Sequence, residues 1–150
     1  MLSVGARAPE FTLPDQDERD VSLTSLLNRG PLILYFYPAD FTTGCTREAC
    51  SVRDLHDEIG RTGLTVAGVS PQSPESHRRF RERYKLPFTL LADKGKAVIK
   101  MYDLNGPFGI GVRRGTYLVD RGRYIRGAVL ADIRIERHED FIRKALALAR

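Results

Sequence analysis

The sequence predicts an α/β layered domain with a mixed β-sheet. Apolar, strand-like runs alternate with helix-like patterns along most of the chain, which is typical of α/β layers. A short polar segment with a glycine, residues 120–123, separates the last two strand-like runs, which is typical of an antiparallel hairpin. At 150 residues the chain is long enough for one domain with its own core. We therefore expect a single domain over residues 1–150, with a central mixed sheet flanked by helices.

The first thirty residues predict a small hairpin and a short helix. Apolar residues at 11–13 and at Val21 flank a polar turn at 15–20. Residues 22–27 have a helical pattern that ends at Gly30. The hairpin and the helix precede the first long apolar run.

A buried strand and a long helix follow. Residues 32–37 form an unbroken apolar and aromatic run that Pro38 stops, which is the pattern of a strand buried on both faces. From residue 45 to about 59, apolar positions recur at helical spacing before Gly60 and Gly63. The pattern predicts a central strand and then a helix of about four turns. The positions on the apolar face of this helix are Cys45, Ala49, Val52, His56 and Ile59.

The rest of the chain continues the alternation. Further strands are predicted at residues 64–69, 89–92, 115–119 and 124–130. Further helices are predicted around Phe80 and Tyr84, through residues 98–102, and from about 138 to 148.

The composition argues against several classes of protein. With 42% hydrophobic and 29% charged residues, the chain lies in the globular range. The net charge is +5, but the 24 Lys and Arg residues are dispersed, so we expect no nucleic-acid binding. The amino terminus lacks a secretion-signal pattern and no apolar stretch approaches a membrane span. We therefore expect a cytoplasmic protein with no membrane partner.

The two cysteines, Cys45 and Cys50, are the main candidates for chemistry. In a reducing compartment, two cysteines in a chain of this length are reactive, metal-binding or simply buried. Cys45 follows the buried strand and begins the predicted helix, whose first amides and dipole favour a thiolate. Full ionisation raises reactivity by at most roughly thirtyfold, so faster chemistry needs groups that stabilise a leaving atom. Thr42 and the amides near Gly44 are local candidates, and an arginine must come through the fold.

Cys50 lies five residues after Cys45 on the same predicted helix. An α-helix separates their Cα atoms by about 8.7 Å, and a disulfide rarely spans more than about 7 Å. If these cysteines form a disulfide, the first turns of the helix must therefore unwind.

The residues around Cys45 resemble a known family. Pro38, Thr42 and Cys45 form the pattern Pro-x-x-x-Thr-x-x-Cys, and Glu48 follows. Residues 36–54 closely resemble peroxiredoxins of the bacterioferritin-comigratory, or Q, branch. The segments that resemble the family elsewhere, in the same order, are 8–13, 66–70, 87–93 and 114–120.

The resemblance implies a thioredoxin-like three-layer fold with an N-terminal β-hairpin extension. It implies a thiol-dependent peroxidase for hydrogen peroxide and organic hydroperoxides, with no metal or bound cofactor. Cys45 would become a sulfenic acid, Cys50 would resolve it as an intramolecular disulfide, and a thioredoxin-type donor would reduce that disulfide. We expect a monomer rather than a homodimer.

The resemblance also implies roles for four further residues. Arg114 and Thr42 would hold the two peroxide oxygens, Pro38 would shield the site from water, and Glu48 would orient Arg114 or a neighbouring arginine. Arg113 lies beside Arg114, so the sequence leaves open which arginine faces the site.

Other interpretations of these residues stay open at this point. The cysteines could be buried thiols, or zinc or iron ligands with His56, although no fourth ligand has a familiar spacing. Thr42 could cap the helix or the loop, and Glu48 could be a first-turn acid that the helix dipole favours. His56 is interpreted as a core residue and His138 as part of the start of the last helix.

Two other functions would use the same cysteines. A thiol-disulfide oxidoreductase is one alternative, although that chemistry prefers cysteines two residues apart. A redox sensor whose oxidised helix presents a binding surface is the other.

Overall fold

The computed structural model describes residues 1–149, and this part of the chain contains seven strands and five α-helices. The strands are β1 (Thr12–Pro14), β2 (Asp20–Ser22), β3 (Leu32–Phe36), β4 (Thr65–Ser70), β5 (Thr89–Ala92), β6 (Gly115–Val119) and β7 (Ile125–Leu130). The helices are α1 (Leu23–Leu27), α2 (Thr43–Arg61), α3 (Pro74–Tyr84), α4 (Ala97–Met101) and α5 (Glu136–Ala149). Each predicted strand and helix is present, with bounds that differ by a few residues.

Five of the strands form one mixed sheet in the order β5-β4-β3-β6-β7. The β3–β4 and β4–β5 pairs are parallel, whereas β3–β6 and β6–β7 are antiparallel. Strands β1 and β2 form a separate antiparallel hairpin before the sheet begins. The predicted mixed sheet, the central position of β3 and the N-terminal hairpin are thus confirmed.

Strand β3 divides the core into two layers because its side chains alternate between the faces of the sheet. Leu34 and Phe36 face one cluster, which also contains buried residues of α1, α4 and the N-terminal hairpin. Ile33 and Tyr35 face the other cluster, which contains Cys45 and buried residues of α2, α3 and α5. All five residues of β3 are buried. Helices therefore cover both faces of the sheet, and the cysteine helix covers one of them.

Helix α2 begins two residues earlier and ends two residues later than predicted. Its buried side includes Ala49, Val52 and Ile59, as the apolar pattern indicates. The interpretation of His56 as a core residue is wrong: His56 is only half-buried, and Leu55 is buried instead. Position 55 and position 56 both lie next to the stripe that Val52 and Ile59 define, and the apolar side chain occupies the core.

The loop between α4 and β6 contains one short 3₁₀ turn, Pro107–Gly109. The amino group of Lys96 donates to Asn105 Oδ1 and to the Gly109 carbonyl, at 2.8 Å each. A single lysine therefore holds both sides of this glycine-rich loop. Within residues 1–149, no helix is both long enough and apolar enough to span a membrane.

Candidate active site

Helix α2 begins at a loop that leaves its first amides without a side-chain cap. Thr42 is the N-cap residue, but its side chain makes no capping hydrogen bond. The Thr42 hydroxyl instead donates to the Ala39 carbonyl at 3.0 Å, within the preceding loop. The side chain of Thr42 therefore does not cap the helix, and its hydroxyl caps the preceding loop instead. Thr42 is exposed beside the start of the helix, whose first amides have no partner within the helix.

Cys45 lies in the first turn of α2 and is almost completely buried, with 1% of its surface exposed. Its sulfur accepts a hydrogen bond from Nη2 of Arg114 at 3.1 Å. Arg114 lies 69 residues further along the chain, directly before β6. Because β6 pairs with β3 in the centre of the sheet, the start of β6 lies beside the end of β3, from which the cysteine loop departs. The sheet register therefore brings the arginine to the cysteine.

The two neighbouring arginines point in different directions. The side chain of Arg113 is 40% exposed, and its Nε donates to Asp132 Oδ2 at 2.8 Å. The side chain of Arg114 is only 6% exposed, while its backbone amide donates to Asp132 Oδ1 at 2.9 Å. Asp132 thus accepts hydrogen bonds from both residues and holds residues 113–114 in place. Arg114 is the arginine whose side chain faces Cys45.

Glu48 is the second partner of the Arg114 guanidinium. Glu48 Oε1 accepts from Arg114 Nη1 at 2.6 Å, and both side chains are buried. Burial raises the pKa of Glu48 to about 7, because desolvation outweighs the attraction to Arg114. Burial lowers the pKa of Arg114, but the charges of Glu48 and Cys45 offset this and the net shift is upward. Since α2 begins at Thr43, no acidic residue lies in its first turn, and the interpretation of Glu48 as a first-turn acid is wrong.

Within residues 1–149, the Arg114 side chain hydrogen-bonds to Glu48 and Cys45 and not to Cys50 or Pro38. Both cysteines are free thiols, and Cys50 is half-buried on the second turn of α2. Because α2 is continuous through both positions, the disulfide cannot form without unwinding part of the helix. Pro38 is half-buried in the loop between β3 and α2.

Comparison with known protein families shows to which family the chain belongs. The model of the AhpC/TSA family matches residues 4–128 of the chain, which include β3, α2 and Arg114. The chain belongs to the AhpC/TSA family.

Individual relatives place the chain among the peroxiredoxins of the Q branch. Chloroplastic peroxiredoxin Q of Oryza sativa subsp. japonica is 41% identical over 138 residues, which are 91% of this chain and 63% of the rice protein. The crystal structure of peroxidoxin BcpB from Mycobacterium tuberculosis has a TM-score of 0.91 and 32% identity, covering 100% of this chain and 97% of that one. The bacterioferritin comigratory protein of Xanthomonas campestris has a TM-score of 0.84 and 26% identity, covering 93% and 92%. The chain spans slightly under two thirds of the length of the first curated relatives that it matches.

A buried polar cluster that the sequence patterns did not indicate holds the cysteine loop of this peroxiredoxin. Asp40 accepts hydrogen bonds from the hydroxyls of Tyr37 and Ser76, and its Oδ2 lies 2.7 Å from Nδ1 of His77. The other ring nitrogen of His77 lies 3.0 Å from the Leu91 carbonyl. Asp40 therefore connects the loop before α2 to the start of α3, across 37 residues of sequence.

Gly44 in the first turn of α2 and Phe41 in the preceding loop fit closely against Arg114 and α3, respectively. A Cβ added at Gly44 would lie 3.2 Å from Arg114 Nη2, so the glycine leaves space for the guanidinium. Phe41 has a φ of 65°, a left-handed conformation that is unusual for an aromatic residue. Its ring packs against Phe80 at 5.1 Å and Tyr84 at 6.3 Å between ring centroids. These contacts with α3 compensate for the unfavourable backbone of Phe41.

His138 is part of this site and not only of the helix start. It is the third residue of α5, and only 2% of its surface is exposed. Its Nδ1 lies 2.8 Å from Thr116 Oγ1 and 3.5 Å from Glu48 Oε2, and its Nε2 lies 2.8 Å from the Ala131 carbonyl. Burial lowers the pKa of His138, which favours the neutral ring. Helical spacing alone gave no indication that His138 faces Glu48.

The other sequence candidates do not join this centre. Within the part of the chain that the structure describes, no three His, Cys, Asp or Glu side chains form a group that could hold a metal ion. Cys45, Cys50 and His56 therefore do not converge. His56 instead lines a cavity of about 460 Å³ with Arg29 and Arg81, apart from the cysteines.

Proposed function

We propose that the chain is a thiol-dependent peroxidase that reduces hydrogen peroxide and organic hydroperoxides. The observation that carries this proposal is the 3.1 Å hydrogen bond from Arg114 to the sulfur of Cys45, at the uncapped start of α2. The arrangement puts a positive charge and free helix amides around a buried sulfur. Membership of the AhpC/TSA family supports the proposal. The structure of the Xanthomonas campestris relative is described in terms of alkyl peroxide reduction activity, which supports organic hydroperoxides as substrates.

In the first step, the Cys45 thiolate attacks the terminal oxygen of the peroxide. The O–O bond breaks, Cys45 becomes a sulfenic acid, and the leaving alkoxide or hydroxide takes up a proton to give an alcohol or water. Arg114 and Thr42 hold the two peroxide oxygens in this proposal, because the guanidinium and the exposed hydroxyl both lie beside the first turn of α2. Pro38 shields the site from water in this proposal. Glu48 acts as a positioning residue, since it binds Nη1 of Arg114 and leaves Nη2 directed at Cys45.

In the second step, Cys50 resolves the sulfenic acid. The Cys50 thiolate attacks the sulfenic sulfur, the S–O bond breaks as the disulfide forms, and the leaving hydroxide takes up a proton to give water. The continuous helix in the reduced protein means that this step includes local unwinding of α2. A thioredoxin-type dithiol then reduces the disulfide and is itself oxidised. The action of the chain as a monomer and its cytoplasmic location stay predictions.

A coupled assay tests the proposal. Peroxide consumption is followed with thioredoxin, thioredoxin reductase and NADPH, for the wild type and for Cys45→Ser, Cys50→Ser and Arg114→Lys. We expect no turnover for Cys45→Ser and one turnover followed by overoxidation of Cys45 for Cys50→Ser. We expect a loss of about 10²-fold in kcat/KM for Arg114→Lys, because lysine lacks the planar fork that directs one nitrogen at the sulfur and another at Glu48.

The control for the arginine is Arg113→Lys, since Arg113 points to Asp132 and should tolerate the change. Full peroxidase activity in Cys45→Ser would refute the proposal. Sustained thioredoxin-dependent cycling in Cys50→Ser would refute the resolving role alone. Reduction of protein disulfides without peroxide consumption would instead favour the thiol-disulfide oxidoreductase.

A further inference from the structure

The cavity of about 460 Å³ that contains His56 in its lining lies at the end of the sheet opposite to Cys45. Thr65 and Thr89, at the starts of the parallel strands β4 and β5, line it, whereas Cys45 follows the carboxyl end of β3. Its volume lies within the range of small-molecule sites in proteins. The peroxidase reaction uses none of the lining residues, so the cavity is available for a separate function.

The lining of this cavity carries positive charge. Arg29, from the connection between α1 and β3, and Arg81, from α3, both line it, together with the half-buried His56 of α2. No acidic residue of the described range 1–149 belongs to the lining. An anion that enters the cavity is therefore attracted by two fixed positive charges, and no carboxylate of the lining competes for them.

The two guanidinium groups have donors to spare. Nε of Arg81 donates to the Phe88 carbonyl at 3.1 Å, which holds this side chain against the segment that leads into β5. Among the hydrogen bonds and ion pairs of residues 1–149, this is the only one that either guanidinium makes. Each guanidinium has five N–H donors in a planar fork that matches the oxygens of a phosphate group. Both side chains can therefore bind an anion without giving up a contact inside the protein.

A close contact between two backbone segments brings Arg29 to the cavity. A side chain at Gly30 would collide with the carbonyl oxygen of Gly63, so the absence of a Cβ lets the connection between α1 and β3 pack on the turn between α2 and β4. Gly63 itself lines the cavity. The position of Arg29 is thus fixed by the fold up to its backbone.

The end of α2 also borders the cavity, through Gly60. The C-terminal end of a helix carries about half of a negative charge, which disfavours an anion. Here the carbonyls of Ile59 and Gly60 accept hydrogen bonds from the backbone amides of Thr62 and Gly63, at 3.2 Å each. Because these carbonyls are occupied, the two full charges of the arginines outweigh the partial charge of the helix end.

We propose that this cavity binds a phosphate group, either of a phosphate monoester or of free inorganic phosphate. Two guanidinium groups match the two charges of a phosphate dianion, and each can donate to two of its oxygens. The Thr89 hydroxyl and a ring nitrogen of His56 are further possible donors in the lining. A phosphate group fills only part of the cavity, whose wall includes Phe88, so the organic part of a monoester has room beside it. Binding does not depend on the peroxidase function.

Calorimetric titration of the reduced wild type with inorganic phosphate and with phenyl phosphate, at constant ionic strength, tests the proposal. We expect saturable binding of at least one of them with a Kd below about 1 mM. Arg29→Gln should weaken this binding by about tenfold, because it removes charge-assisted hydrogen bonds to the ligand and none within the protein. Arg81→Gln should weaken it at least as much. Arg29→Gln is the decisive variant, since Arg81→Gln also removes the hydrogen bond to the Phe88 carbonyl.

Arg78→Gln is the matched control, because it removes the same charge from an exposed position of α3 outside the cavity and should bind like the wild type. The ring NMR signals of His56 should shift during the titration, whereas those of His77, which is buried beside the cysteine loop, should not. Tighter binding of phenyl phosphate would identify a monoester and equal binding would identify free phosphate, and both results support the site. Absence of saturable binding, unmoved His56 signals, or equal losses of affinity in Arg29→Gln and Arg78→Gln would overturn the inference. Since the titration uses no peroxide, its result is independent of the peroxidase assay.

Discussion

Gly44 lies next to Cys45 at the point where the backbone approaches Arg114 most closely. A methyl group there would come within 3.2 Å of Arg114 Nη2, so the guanidinium must shift by a few tenths of an ångström, whereas the distance of 3.7 Å to Ile135 is an ordinary contact. Glu48 holds the other side of the guanidinium, and the contact that can yield is the one to the cysteine sulfur. A shift of a few tenths of an ångström in the guanidinium lowers the catalytic rate more than it lowers the stability of the fold.

We therefore predict that Gly44→Ala lowers kcat/KM for peroxide by about tenfold, which is about 1.4 kcal/mol of transition-state stabilisation. The melting temperature should change by only a few degrees. Gly60→Ala is the matched control, because Gly60 lies on the same helix and an added Cβ there meets no atom within 4 Å. Equal values of kcat/KM for Gly44→Ala and Gly60→Ala would show that the close contact between position 44 and Arg114 does not limit the peroxidase rate.

At the scale of the elements, hydrogen bonds of Asp40 connect the loop between β3 and α2 to α3. The carboxylate is fully buried and binds three partners, two of which are Ser76 and His77 at the start of α3. Removal of one member of a buried hydrogen-bonded network leaves the polar groups of its partners unsatisfied. This loop also contains Pro38 and Thr42, so the strength of the Asp40 hydrogen bonds and the geometry of the site depend on each other.

We predict that Asp40→Asn lowers the free energy of unfolding by about 3 kcal/mol. Asp54→Asn is the control, because Asp54 is exposed and pairs with Arg53 at the surface, and it should cost less than about 1 kcal/mol. Urea unfolding of the reduced proteins measures both values. Similar midpoints for the two variants would contradict a structural role for the buried carboxylate.

Helix α2 must lose structure when its two cysteines react with each other. Its first turns carry the reactive sulfur, whereas its later turns carry Val52, Leu55 and Ile59 into the core. We expect the disulfide form to exchange the backbone amides of residues 46–50 at least tenfold faster than the reduced form, with the amides after residue 52 unchanged. Hydrogen exchange with mass spectrometry measures this difference. Cys50→Ser treated with peroxide is the control, and faster exchange in that variant would separate unwinding from the disulfide.

The elements that the sequence predicted well are those with a local signature. The unbroken apolar run of β3 and the position of Cys45 at the start of a helix were visible because each lies within one stretch of chain. The contact between Glu48 and His138 joins residues 90 positions apart. A helical period in the sequence predicts which face of a helix is buried, but it does not predict which residue packs against that face. The resemblance to peroxiredoxins indicated Arg114, but the side chain of Arg113 could be excluded only from its contact with Asp132.

At the scale of the whole molecule, the site joins two distant parts of the chain. The segment around α2 supplies the sulfur and Glu48, and the segment from Arg114 to the start of α5 supplies the positive charge and His138. The two segments meet because β3 and β6 are neighbours in the sheet and because α5 packs against α2. Stability of the domain and ionisation of the site are therefore coupled through the same buried groups.

This coupling predicts how the stability of the protein changes with pH. Folding raises the pKa of Glu48 from its ordinary value of 4.5 to about 7. A group whose pKa is raised in the folded state contributes fully at low pH and loses its contribution as the pH rises through the folded value. Between pH 5 and pH 8, the free energy of unfolding of the wild type should therefore fall by about 2 kcal/mol more than that of Glu48→Gln. Urea unfolding at both pH values measures this difference, with the exposed Glu75→Gln as the control that should follow the wild type. If Glu48→Gln loses as much stability as the wild type over this range, Glu48 is ionised throughout and Arg114 compensates its charge completely.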